Sequence, residues 1–173
     1  MGNTYFVVAH FHYVIFNAIV LGVFAAVYHW FPKFTGHMYY EGLGKLHFAL
    51  TFIGCTLNWL PLHWAGLLGM PRRVASYDPE FAIWNVIASV GAFLLGVAAI
   101  PFILNMVSSW ARGPKAPPNP WGAIGLEWLL PSPPPAENFE DDVPTVLNNP
   151  YGYGLDQPQV ADEAFYVRRA QEA

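Results

Sequence analysis

The chain has 173 residues, of which 54% are hydrophobic and only 12% charged, with a formal net charge of −4 at pH 7. The charges are clustered: from Met1 to Pro71 only Lys33, Glu41 and Lys45 carry one, and from Phe81 to Ala111 no residue does. Such charge-free stretches exclude an ordinary water-soluble domain and predict an integral membrane protein. The acidic balance comes largely from the tail, so no nucleic-acid partner is expected.

The first apolar run, Tyr5 to Phe31, is long enough to cross a hydrocarbon core of about 30 Å. It has neither a basic leader nor a small-residue cleavage site, and so reads as a retained span rather than a secretory signal. Inside it stand His10-Phe11-His12. On a helix turning about 100° per residue, positions i and i+2 point to nearly opposite faces and differ in height by about 3 Å. Imidazole is costly to bury in a bilayer without a partner, and neutral imidazole is a common axial ligand of haem iron. A helix with this spacing is therefore able to ligate two metal centres, one on each side. The plainer alternative has each ring donate to a carbonyl of a neighbouring helix. The run closes in Tyr28-His29-Trp30-Phe31-Pro32, where an aromatic belt meets a helix stop, and His29 and His37 read as interfacial.

The second run, Leu46 to Leu68, carries His47, Cys55, Asn58, Pro61 and His63. Pro61 lacks the N–H that would bond back to Leu57, which predicts a kink there. His47 and His63 are expected to hydrogen-bond between packed helices, and Cys55, the only cysteine, to be a small buried hydrophobe. The run ends in Gly69-Met70-Pro71-Arg72-Arg73, on the side where the first run begins. His10 and His12 lie roughly 10 to 14 Å from that face, so the Arg pair and the His pair share a hemisphere. A haem held at that depth would turn its propionates toward the face, and two adjacent guanidiniums suit carboxylates through charge-assisted, bidentate hydrogen bonds. The alternative is that the Arg pair anchors a helix end at lipid headgroups.

The third run, Phe81 to Trp110, reads as scaffold, with Gly91 and Gly96 available for close helix contact. After it the composition shifts to a Pro-rich and then acidic tail, with one short amphipathic helix expected over Ala161–Ala173. The expected organisation is all-α: three transmembrane helices of a larger bundle over residues 1–111, and an extended tail over 112–173. Lys33, Lys45, Arg112 and Lys115 fall on one side and Arg72 and Arg73 on the other, which favours a cytoplasmic C-terminus.

Val7-Val8-Ala9-His10-Phe11-His12-Tyr13-Val14, Trp30-Phe31-Pro32, Gly66-Leu67-Leu68-Gly69-Met70-Pro71-Arg72-Arg73, Trp84-Asn85 and Leu126-Glu127-Trp128 resemble subunit I of the haem–copper oxidases, closest to the cytochrome c oxidase type. The resemblance runs from about Thr4 to Phe139 and implies the last three of that subunit's twelve helices. By it, His10 is the axial ligand of the high-spin haem, His12 a ligand of the low-spin haem, Phe11 lies between the two macrocycles, and Arg72 and Arg73 pair with propionates. It implies two haems, of haem a type, and reduction of oxygen to water with coupled proton translocation in a bacterial plasma membrane. The tail resembles the bacterial versions, which lay it along the cytoplasmic face.

The chain departs from the family pattern in two respects. Family members carry a His-Asp pair that binds magnesium just before the Thr-Tyr of the first run, where this chain has Gly2 and Asn3, so the magnesium ligands do not carry over. The copper-binding histidines, the second low-spin haem ligand and the proton-channel residues belong to earlier helices. This implies either a separate chain carrying the first nine helices, assembled with oxidase subunits II and III, or a truncated product beginning at an internal methionine. The implied electron donor is cytochrome c or a quinol. The alternatives are a quinol oxidase, or a haem-free membrane subunit without catalysis.

Overall fold

The computed structural model describes residues 1–123 and 125–139, together with the backbone of 145–146 and 166–167. Helix α1 (Tyr5–Phe11) continues through one π-helical turn (His12–Phe16) into α2 (Asn17–Thr35). Helices α3 (Glu41–Leu67) and α4 (Ala82–Arg112) follow, the latter led in by a short 3-10 turn at Pro79–Phe81. Tyr5–Thr35 and Pro79–Arg112 are each long and apolar enough to cross a membrane. Helix α3 has 27 residues but is less apolar, because its buried side carries His47, Thr51 and Asn58.

The side chains are arranged inside out relative to a water-soluble protein. Val14, Ile15, Ile19, Val23 and Phe93 all stand more than half exposed, while the buried positions hold Ala9, Ala65, Ala88 and Ala98. Small residues inside and large apolar ones outside suit a surrounding of hydrocarbon, where helix association depends on close packing rather than on expulsion of water.

Two compact units make up the described chain, the first formed by Met1–His29 with Tyr39–Gly113. Here two glycines set the helix spacing. A Cβ on Gly66 would fall 1.9 Å from the backbone nitrogen of Phe6, and one on Gly91 would fall 2.3 Å from that of Asn58. So α1 lies backbone to backbone on α3, and α3 on α4. Gly96, expected at such a contact, has nothing within 4 Å of its missing Cβ. It lies five residues past Gly91, and its position is exposed.

Helix α3 begins without a side-chain cap of its own at Tyr40. The cap comes from α4: fully buried Asn105 accepts the Tyr40 N–H through Oδ1 at 2.9 Å and returns its amide to the Tyr40 carbonyl at 3.0 Å. Ser109 donates to the same Oδ1 at 3.0 Å. One amide thereby satisfies both backbone groups at a helix start.

The second unit joins Trp30–Met38 to the chain from Pro114 onward. The helix stop expected at Pro32 is displaced, because α2 runs on to Thr35, where the Thr35 hydroxyl donates to the Phe31 carbonyl at 2.7 Å. The loop that follows pairs in antiparallel fashion with the tail: Met38 N–H donates to Pro114 O at 2.7 Å and Ala116 N–H to Gly36 O at 2.9 Å. Lys33 is buried, and its ammonium donates to Leu130 O at 2.8 Å, Pro118 O at 2.9 Å and Pro131 O at 3.4 Å. It also lies 5.0 Å from the centre of the Trp128 ring, a cation–π distance.

The helix expected over Ala161–Ala173 is not formed at Tyr166–Val167, which pair as a strand (β2) with Thr145–Val146 (β1). Tyr, Val and Thr favour extended backbone. The rest of that stretch lies outside the described residues.

Gly66→Ala and Gly91→Ala should each destabilise the protein by about 3 kcal/mol or more, the upper range for overpacking, whereas Gly96→Ala should be neutral; thermal melting in detergent reads the difference. Lys33→Met should strip three carbonyls of their charged donor, at roughly 1.5–3 kcal/mol for a hydrogen bond of this kind. The measurement is limited proteolysis, with faster cleavage expected between Pro114 and Phe139.

Candidate metal centre

Thr4 caps α1, its hydroxyl accepting the Phe6 N–H at 3.4 Å. The residues beside it are tied to the segment after α3. Tyr5 N–H donates to Met70 O at 2.9 Å, Arg72 N–H donates to Asn3 O at 3.1 Å, and Thr4 and Pro71 form an antiparallel bridge between them. Met70 is itself fixed: its side chain is 1% exposed, its N–H reaches Ala65 O at 3.0 Å, and its sulfur takes a 3.5 Å contact from the Asn85 amide. Asn85 also donates to Phe81 O at 2.9 Å. Arg72 and Arg73 therefore sit at the start of the helix that carries the His pair. His10 lies about 7.5 Å further along that helix, at 1.5 Å per residue from Tyr5. Arg73 has a φ of 64°, a left-handed conformation uncommon outside glycine, and is exposed. Arg72 is half-buried.

His12 is half-buried and turned toward α3. Its Nδ1 lies 2.8 Å from the Val8 carbonyl. A carbonyl can only accept, so Nδ1 carries a proton, and in the neutral form of such a ring the lone pair stands on Nε2. The ring stacks on Trp59 of α3 at 4.1 Å and 9°, and on Phe11 at 4.3 Å and 30°. His10 is exposed and meets no polar partner among the described residues. Between the two, fully buried Ala9 packs in a cluster with Leu62 and Ala88. Phe11 is 39% exposed. The carbonyl that His12 uses belongs to its own helix, not to a neighbour.

The other histidines have different surroundings. His47 is buried, with Nδ1 3.2 Å from the Tyr28 hydroxyl, and joins Phe24 and Phe102 in an aromatic cluster. His63 directs Nδ1 to the Trp59 carbonyl at 3.1 Å. His37 Nδ1 lies 3.1 Å from Thr35 O. A cleft of about 530 Å³ beside His47, lined also by Phe24, Tyr28, Phe48 and Thr51, includes neither His10 nor His12.

Among the described residues no three His, Cys, Asp or Glu side chains converge on one point. A metal bound at His10 or His12 would take one nitrogen from this chain and its remaining ligands from elsewhere. A metal already held in a macrocycle meets that condition, and a tautomer-locked imidazole is the donor such an iron requires. The residues present thus fit a haem. Sequence reasoning missed Trp59, the Asn85–Met70 brace and the π-helical turn. Only the brace has a local signal, a polar residue early in an apolar run.

Residues 1–94 match the family described as Cytochrome C and Quinol oxidase polypeptide I. Cytochrome c oxidase subunit 1 of Thermostichus vulcanus is 52% identical over 157 residues, 91% of this chain and 28% of that protein. Its counterpart in Synechocystis is 50% identical over 161 residues, 93% of this chain and 29% of that protein. The heme-copper oxidase subunit I+III of Aeropyrum pernix is 46% identical over 145 residues, 83% of this chain and 17% of that protein. The chain therefore spans less than a third of the length of these relatives.

Proposed function

The chain belongs to the cytochrome c and quinol oxidase polypeptide I family, and from that premise we propose that it is the haem-ligating C-terminal part of a respiratory terminal oxidase. The observation that supports the reading is the different surroundings of two imidazoles on one helix. His12 is turned toward α3 with its proton committed to Val8, and His10 is exposed on the helix. The two haems, when bound, supply the electron-transfer and oxygen-reducing chemistry, together with copper held by ligands of another chain.

In this reading His12 offers Nε2 to the low-spin iron and His10 offers a ring nitrogen to the high-spin iron, each as a neutral donor. Phe11 fills the space between the two macrocycles and keeps water out. Arg72 and Arg73, held at the helix start by the Tyr5–Met70 and Arg72–Asn3 hydrogen bonds, neutralise the propionates. Three helices of this chain cross the membrane, α3 included. The tail lies on the cytoplasmic side, and the partners are a chain with the first nine helices, subunits II and III, surrounding lipid and cytochrome c. The names of the curated relatives support cytochrome c as donor over a quinol. The setting is a bacterial plasma membrane.

His12→Ala should remove the low-spin haem band from the reduced-minus-oxidised spectrum, and His10→Ala the high-spin contribution, each lowering oxygen consumption at least a hundredfold. An unchanged spectrum in both variants defeats the reading. Arg73→Gln should lower the midpoint potential by roughly tens of millivolts, because one positive charge near the propionates favours the reduced iron. Redox titration reads this, with Arg112→Gln as the unshifted control.

A further inference from the structure

The proposed ligand His12 has one rotation that its hydrogen bond leaves free. Holding Nδ1 against the Val8 carbonyl fixes where the ring sits, but the plane can still swing about that bond, because the torsion at the ring is broad. Within this chain two stacked rings limit the swing: the Trp59 indole, centred 4.1 Å away and tilted by only 9°, and the less parallel Phe11 ring at 4.3 Å and 30°. The indole's own position is set by α3, whose backbone is held close to that of α1 at Gly66. Phe16 meets the indole at 6.1 Å and 65°, closing a further side.

The indole N–H adds a second observation. Buried Trp side chains ordinarily pair this donor. Here Trp59 Nε1 is buried and has no hydrogen-bond partner among the described residues. Packing rather than a hydrogen bond holds the residue: it lies against the Ala9, Leu62 and Ala88 cluster and lays its flat face on His12.

We propose that Trp59 is a positioning residue for His12, its indole face fixing the plane of the imidazole and through it the orientation of the ligand on the low-spin iron. The inference rests on the reading of His12 as a haem ligand. Groups that orient a ligand tune the metal without touching it. For a low-spin ferric haem the imidazole plane governs the anisotropy of the iron's magnetic signature, which a purely structural residue would leave alone.

The test compares Trp59→Phe, Trp59→Leu and Trp59→Met in the assembled oxidase by electron paramagnetic resonance of the oxidised low-spin haem, with haem content measured alongside. Trp59→Phe keeps a flat face and should retain the parent g-values. Trp59→Leu and Trp59→Met lack that face and should shift them at full haem content, with slower electron transfer by several fold. Unshifted g-values in the leucine or methionine variant overturn the proposal. So does loss of assembly in both while Trp59→Phe assembles, which would make Trp59 a packing residue. His12→Ala separates the two levels: if that variant keeps the low-spin signal, the ligand reading itself has failed. If it loses the signal while the Trp59 variants leave g-values unmoved, only the positioning role has failed.

Discussion

A neutral imidazole has one proton to give, and His12 gives it to the carbonyl four residues back on its own helix. In hydrocarbon, where no water satisfies a ring N–H, this bond meets the need within the helix itself. Once it is made, the ring has a single basic nitrogen, aimed away from the backbone. In the proposed reading, that nitrogen is the one His12 offers to a group from outside the chain. His63 makes the same kind of bond to the Trp59 carbonyl, and what distinguishes His12 is its neighbours.

Close packing is the second constraint. Gly66, Gly91 and Ala9 let backbones touch where larger side chains would hold them apart. Their contacts fix how α1 lies against α3 and α3 against α4, and so which residues meet across the interface. The Asn85–Met70–Tyr5 chain of contacts then fastens the arginine segment to the start of α1. Histidines and arginines 60 residues apart in sequence come to one end of the unit through main-chain bonds. Among the described residues no side chain pairs with either guanidinium.

Much of this was legible in the order of residues. Absence of charge marked the apolar runs, and the angular step of a helix separated His10 from His12 without any knowledge of packing. The placement of Arg72 and Arg73 near the start of the first helix followed from counting crossings. What escaped depended on contacts between distant residues. Trp59 looks like any aromatic in an apolar run until α1 is laid beside it, and the amide of Asn105 has no meaning without Tyr40. Gly91 and Gly96 are equally plausible contact points by composition, and only the helix rotation decides between them. The π-helical turn at His12–Phe16 contains neither proline nor glycine, so nothing local announces it. Pro32 illustrates the reverse case: a strong stop signal was overridden because a threonine hydroxyl three residues on took up a carbonyl at the helix end.

The clamp around Lys33 has a consequence in time. Its first carbonyl partner, Pro118, lies 85 residues further along the chain, and the others lie 97 and 98 further. At about 5–20 residues per second, a ribosome takes several seconds to make that stretch. Throughout that interval the ammonium lacks the three carbonyls that hold it in the finished fold. The clamp can therefore close fully only once Pro131 has been made.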